Sequence, residues 1–171
     1  MKQFIVLISS FILFHTVVHC QSKYREIPPP KMSLGIEAAF PVGNMSLINS
    51  FGAGISIKTI LPFTPFCGFS FSGGGIKYFN KNNFGIKEKT GFFCIPVKAG
   101  ISFFTRNGIY IEPQVGYSLL SSKYAEEGAF CYAANIGCAV THHFDLSFNY
   151  ETMTKNGFNL SHTGVRVAYI F

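Results

Sequence analysis

The chain has 171 residues, enough for one domain after removal of an export signal, because single domains usually contain about 100 to 200 residues. It is rich in Phe (20), Tyr (8) and Gly (17), and only 13% of its residues are charged, about half of the usual ~25%, so much of the surface need not face water. The net charge is +6, but the basic residues are scattered and no nucleic-acid motif accompanies them, so we expect no nucleic-acid partner.

Residues 1–20 have the pattern of a secretory signal peptide. Lys2 supplies a positive start, Phe4–Val18 is an apolar core, and Gln21 follows the exit. Cys20 could instead accept a lipid, but His19 before it is larger than that chemistry prefers. We therefore expect the mature chain to begin at Gln21.

Residues 21–31 form a Pro-rich lead-in, in which Pro28-Pro29-Pro30 favours an extended polyproline conformation. The remaining residues, 32–171, contain no apolar run of the ~18 residues that a membrane helix needs. Lipid satisfies no backbone hydrogen bonds, so only helices and closed barrels cross it. If this domain spans a membrane, it must do so as a barrel.

Apolar and polar or small residues alternate with a period of two, which is typical of strands. The clearest runs are Cys94–Phe104 and Ile109–Leu119, and the connection Arg106-Asn107-Gly108 between them suits a hairpin because Gly tolerates a left-handed conformation. Similar runs predict six further strands: Met32–Val42, Ser50–Ile60, Phe66–Phe79, Ala129–Thr141, His143–Glu151 and Val165–Phe171.

The predicted connections alternate between polar loops and short links. The polar loops are Gly43–Asn49, Asn80–Lys89, Ser121–Gly128 and Thr152–Gly157, and the short links are Pro62–Pro65, Arg106–Gly108 and His142-His143. This alternation, the even strand count and strands of about 10 residues are typical of outer-membrane barrels. The predicted fold is all-β: an eight-stranded antiparallel up-and-down transmembrane β-barrel.

One face of the predicted strands carries the ionisable residues. These are Glu37, Lys58, Lys98, Glu112, Asp145, Glu151 and Arg166. Because eight strands leave an interior just wide enough for side chains, and buried charges need partners, we expect a charged network that fills the lumen. A polar path for a small solute is the alternative.

Four cysteines follow the signal segment. By phase, Cys94 and Cys131 point inward, whereas Cys67 and Cys138 point to lipid. The two inward thiols lie two strands apart, about 9.5 Å, which exceeds the ~7 Å between Cα atoms that a disulfide allows. We therefore expect free cysteines.

No catalytic, cofactor-binding or metal-binding residue is predicted. His142-His143 is expected in a turn, because adjacent strand residues face opposite ways and no other ligand stands at metal-binding spacing. Ser161, His162 and Asp145 are the elements of a hydrolase triad, but a Ser-rich sequence supplies such trios by chance, and His162 is expected at the rim or in the lumen.

Several segments resemble the outer-membrane β-barrel family common in Bacteroidetes, labelled porin-family or PorT-like. They are Ile95–Gly100, Tyr110–Pro113, Val115–Tyr117, Asn135–Gly137, Phe144–Tyr150 and Gly164–Phe171. The resemblance implies an outer-membrane location and no assigned activity. Val167, Tyr169 and Phe171 also resemble the C-terminal signal that the barrel-assembly machinery reads.

The sequence thus predicts a non-enzymatic outer-membrane protein that contacts membrane lipid and presents basic loops to an extracellular ligand or envelope protein. The loop residues are Lys81, Lys87, Lys89, Lys123 and Lys155. Two alternatives remain: an exported soluble lipocalin-like barrel, which requires apolar side chains inside, and a lipid-modifying enzyme.

Overall fold

The computed structural model describes residues 26–80, 91–106, 108–121, 126–155 and 157–171. Eight strands and one short helix follow each other along the chain: β1 Lys31–Val42, α1 Met45–Ile48, β2 Asn49–Pro62, β3 Cys67–Asn80, β4 Phe93–Phe104, β5 Ile109–Ser121, β6 Glu126–Ala139, β7 Phe144–Lys155 and β8 Phe158–Ile170. The predicted signal peptide and the residues of the lead-in before Glu26 lie outside the described residues.

The strands form one closed antiparallel barrel in sequence order, with β8 paired to β1. Glu37 lies opposite Arg166 in the closing pair, and Phe171, just beyond β8, donates its backbone N–H to Met32 O over 2.9 Å. Among the described residues, no helix is long and apolar enough to cross a membrane. The predicted eight-stranded antiparallel barrel is confirmed.

The period of two decides which side chains face outward. Ile36, Ile55 and Val97 are 67%, 63% and 62% exposed, whereas Ser33, Lys58 and Lys98 on the same three strands are buried. Soluble monomers rarely expose apolar surface over so large a contiguous area. The outer wall is therefore apolar and the interior polar, the arrangement of a barrel surrounded by lipid.

The predicted hairpin between β4 and β5 is confirmed. Gly108 has a φ of 80°, in the left-handed region that Gly occupies without strain, and Thr105 N–H donates to Ile109 O over 2.8 Å. This turn lies at the same rim as the two other short connections and Glu26–Lys31. We call it the inner rim, and the opposite one the outer rim.

The predicted polar loop Thr152–Gly157 is wrong. Residues 152–155 continue β7, Gly157 has a φ of 82°, and β8 already begins at Phe158. The prediction took these polar residues as a loop. Thr is nevertheless a good strand former, and Thr154 Oγ1 donates a 2.9 Å hydrogen bond across the hairpin to Asn159 Oδ1. The connection is a tight turn, and Lys155 belongs to a strand.

The other outer-rim connections are also shorter than expected, except one. Residues 126–128 belong to β6, and α1 occupies part of the predicted loop after β1. By the strand bounds, the interval between β3 and β4, residues 81–92, is the longest, and its residues 81–90 lie outside the described residues. The bounds therefore leave one long interval at the outer rim in place of the four predicted.

Candidate functional site

The seven predicted charged residues all lie inside the barrel wall and are at most partly exposed. A first group centres on Lys58, whose Nζ donates to Tyr110 OH over 2.9 Å and lies 3.6 Å from Glu112 Oε2 and 3.9 Å from Asp145 Oδ2. Tyr110 OH in turn donates to Asp145 Oδ2 over 2.9 Å. These residues come from β2, β5 and β7, so the contacts cross the lumen.

Arg166 extends this group to the strands that close the barrel. Its guanidinium donates to Ser56 Oγ over 2.8 Å and to Ser33 Oγ over 3.1 Å. Nη1 lies 3.5 Å from Asp145 Oδ2 and Nε lies 3.6 Å from Glu37 Oε1. One cation therefore links β1, β2, β7 and β8.

A hydrogen-bonded belt continues from Glu112 along the wall. Glu112 accepts from Ser102 Oγ over 2.6 Å and from Gln114 Nε2 over 2.8 Å, and Gln114 Oε1 accepts from Ser72 Oγ over 3.3 Å. These neutral partners share the inward phase with the charged residues, which is the sequence signal that identifies them.

A second group lies nearer the outer rim. Lys98 Nζ donates to Glu151 Oε2, and Tyr78 OH shares a 3.0 Å hydrogen bond with His162 Nδ1. His162 Nε2 and Glu151 Oε1 are buried without a partner within the described part of the chain. His162 is therefore a lumen residue, one of the two positions expected for it.

The three candidate triad residues are not brought together. Asp145 pairs with Ala168 near the inner rim, whereas His162 pairs with Glu151 further along the same hairpin. Ser161 Oγ shares a hydrogen bond with Thr152 Oγ1. Ser161 precedes His162 in β8, so the two side chains point to opposite faces of the wall. No Ser-His-Asp relay forms among these residues.

The four described cysteines are free, as expected. Cys94 and Cys131 are fully buried inside the barrel, whereas Cys67 and Cys138 are half-buried and in the outward phase. His142 and His143 lie in the turn between β6 and β7, where His143 stacks on Tyr169 at 5.5 Å between ring centroids. Across the ranges described above, no group of three or more His, Cys, Asp or Glu side chains is placed to hold a metal ion.

A cavity of about 370 Å³ opens at the inner rim, beneath the Lys58 group. Lys31, Tyr110, Asp145 and His142 contribute to its polar lining, and Pro28 of the lead-in also lines it. The sequence did not predict this cavity, because its walls come from strands near both ends of the chain and from three turns.

The predicted assembly residues lie on the outer wall at the inner rim. Val167 and Tyr169 are each 44% exposed, and the rings of Tyr169 and Phe171 pack edge to face at 5.4 Å. Phe144 contacts the same Tyr169 ring at 5.8 Å. Together they form an exposed aromatic cluster at the end of β8.

These features define a closed eight-stranded barrel with an apolar outer wall and ion pairs inside, the class to which small outer-membrane barrels belong. A lipocalin-like barrel would instead have apolar side chains inside and polar side chains outside. No protein-family model matches the chain, and no curated protein matches it.

Solved structures of outer-membrane barrels are similar in fold. Ail, the attachment invasion locus protein of Yersinia pestis, superposes with a TM-score of 0.59 at 16% identity, covering 83% of this chain and 97% of Ail. The N-terminal β-barrel domain of Pseudomonas aeruginosa OprF gives 0.58 at 14% identity, covering 81% and 97%. Neisserial surface protein A gives 0.52 at 14% identity, covering 85% and 97%. At these identities the likeness establishes the fold.

Proposed function

We propose that this chain is an integral, non-enzymatic protein of a bacterial outer membrane, whose filled barrel anchors a basic outer rim that binds an anionic partner. The observation that carries the proposal is that the wall has apolar side chains outside and paired charges inside, the opposite of a soluble barrel. A soluble barrel would expose that apolar surface to water at a large cost in free energy.

Heat-modifiability tests the membrane location. The protein from fractionated membranes is run on SDS gels with and without boiling. A folded membrane barrel resists SDS, so we expect the unboiled protein in the outer-membrane fraction with a shifted mobility. Recovery in the soluble fraction without a shift would favour the exported lipocalin-like alternative.

The filled lumen follows from the reach of the interior groups. Lys58 and Arg166 contact acids on other strands, and Gln114 bridges between hydroxyls and Glu112, which supports a lumen filled by side chains. We expect no steady ion conductance in planar bilayers. A defined open channel in the parent protein would instead support the solute path.

The basic outer rim rests on the sequence of the connections. Residues 81–90 contain Lys81, Lys87 and Lys89 with one acid, and the β5–β6 connection contains Lys123. Ail, similar in fold, was solved in complex with the heparin analogue sucrose octasulfate. We propose a sulfated or phosphorylated polysaccharide as the partner, because several lysines attract such polyanions in a salt-dependent way.

Removal of positive charge from the outer rim, compared with removal from the inner rim, tests this partner. The triple variant K81Q/K87Q/K89Q should elute from immobilised heparin at clearly lower salt than the parent. Arg106→Gln removes a charge at the inner rim and serves as the control. Equal elution of the parent and the triple variant would contradict outer-rim binding, whereas a loss with Arg106→Gln would move the binding to the inner rim.

Assembly by the barrel-assembly machinery is part of the proposal, and so is kinship with the Bacteroidetes family, which rests on the quoted sequence segments. Phe171→Ala should lower the amount of heat-modifiable protein in the outer membrane, because it removes an exposed aromatic anchor at the end of β8. Phe158→Ala, at the start of the same strand, is the control. Equal yields for both variants would contradict a C-terminal signal.

The non-enzymatic assignment has its own test. Phospholipid and lipopolysaccharide turnover by the purified barrel should stay at background, and His162→Gln should leave it there. Turnover that His162→Gln abolishes would establish the lipid-modifying alternative.

A further inference from the structure

Four sulfur-bearing side chains belong to one buried cluster inside the barrel, near the outer rim. Cys94 comes from β4, Cys131 from β6, Met153 from β7 and Met45 from α1. All four are at most 1% exposed and belong to one buried cluster of eight residues. Half of this cluster therefore carries a thiol or a thioether, although aliphatic residues would fill the space without reactive atoms.

Three of the four side chains adjoin one another within the cluster. Cys94 Sγ lies 3.5 Å from Met153 Sδ, and Cys131 is the direct cross-strand partner of Met153. Sulfur ligands bind a tetrahedral metal at about 2.3 Å, which separates neighbouring ligands by about 3.8 Å. The Cys94 and Met153 sulfurs thus have nearly the spacing of two ligands on one ion.

A second observation concerns Ser118 on β5, the strand between those of the two thiols. Its strand pairs with β4 on one side and with β6 on the other, and its side chain is fully buried on the inner face of the wall. Its Oγ has no hydrogen-bond partner among the described residues. Buried polar atoms normally have a hydrogen-bond partner, so an unpaired Ser118 Oγ indicates a position where a bound ion or water supplies the missing contact.

We propose that Cys94, Cys131, Met153 and Met45 form a binding site for a soft monovalent d10 cation of the Cu(I) or Ag(I) class. Thiolate and thioether ligands select soft metals over Mg²⁺ and Ca²⁺, and thioethers are not among the usual ligands of Zn²⁺. Both coordinating thiols release their protons to solvent, so the ion and its two thiolates carry one net negative charge. Lys98, on the same strand as Cys94, is the cation of this region and pairs with Glu151.

The two outward cysteines supply a matched background for the test. The C67S/C138S variant retains the inner thiols, and its reduced, detergent-folded form is incubated with Ag(I), passed through gel filtration with free methionine as a weak competitor, and analysed for bound silver. We expect one tightly retained Ag(I) per barrel and release of protons in weakly buffered solution. Adding Cys94→Ser or Cys131→Ser should remove both signals.

The thioethers are tested separately with Met153→Leu and Met45→Leu, which conserve volume and therefore the fold. Each should weaken binding about tenfold, a change of only about 1.4 kcal/mol, when measured by competition. Heat-modifiability is checked for every variant, so that loss of binding is separated from loss of folding.

Three results would overturn the proposal. They are the absence of retained silver in C67S/C138S, retention that persists after both inner thiols are removed, and a mass deficit of two hydrogens showing a Cys94–Cys131 disulfide in unreduced protein from membranes. Unchanged affinity in both methionine variants would reject thioether coordination.

Discussion

Replacing Arg166 by Met should destabilise the barrel more than any single surface change. The substitution removes hydrogen bonds of 2.8 and 3.1 Å to Ser56 and Ser33, and it takes the cation from Glu37 and Asp145. Breaking a buried ion pair by removing one partner typically costs about 3–5 kcal/mol, because the other charge stays buried without compensation. Since two carboxylates lose a partner, we expect a loss at the upper end of that range.

Lys155→Met provides the matched control. Its Nζ lies 2.9 Å from Glu127 Oε2, but both side chains are well exposed, and such pairs contribute about 0–1 kcal/mol. Arg166→Lys should fall between the two, because it retains the charge but loses the planar set of donors. The free energies of unfolding are measured by reversible urea titration in lipid vesicles, followed by the gel shift.

The result that would refute this reasoning is a loss for Arg166→Met no larger than that for Lys155→Met. Such a result would mean that water enters the lumen and screens the charges, so that the interior pairs behave like surface pairs. The filled-lumen proposal would then fail together with the stability prediction.

Three further predictions use the same unfolding assay. Lys98→Met should lower the free energy of unfolding by about 3 kcal/mol or more. Adding Glu151→Gln should recover part of that loss, because it removes the carboxylate left without a partner. Additive losses in this double-mutant cycle would argue against a coupled pair. Tyr110→Phe should cost about 1–3 kcal/mol, since Lys58 and Asp145 lose their shared hydroxyl, and no loss would indicate that water replaces it. Gly157→Ala should cost about 1–2 kcal/mol through its φ of 82°, whereas Gly73→Ala, with an open surrounding and no positive φ, should be neutral or slightly stabilising; equal effects would remove the conformational explanation.

Alternation of apolar and polar residues along single strands was enough to predict the barrel. Successive residues of a strand point to opposite faces, so the position of a residue in the alternation decides whether its side chain points inward or outward. The runs Cys94–Phe104 and Ile109–Leu119 differ from the observed β4 and β5 by no more than two residues at either end. The inward placement of the charged residues follows from the same alternation.

Local sequence could not indicate which acid meets which base. Lys58 on β2 contacts Glu112 on β5 and Asp145 on β7, and these contacts depend on the register of every intervening strand pair and on closure of the sheet. Likewise, the polar stretch Thr152–Lys155 has the composition of a loop, and its strand conformation comes from pairing with residues 158–161 of β8. These features are set by contacts between distant segments.

The pairing of Glu37 with Arg166 joins the first strand to the last. Until β8 docks, β1 keeps an open edge and Glu37 lacks the cation that it contacts in the closed barrel. Formation of the last hydrogen-bonded seam and pairing of Glu37 with its cation therefore occur in one event. A chain interrupted within β8 would have both an unpaired strand edge and an uncompensated acid. Quality control in the envelope would therefore encounter an intermediate clearly distinct from the finished barrel.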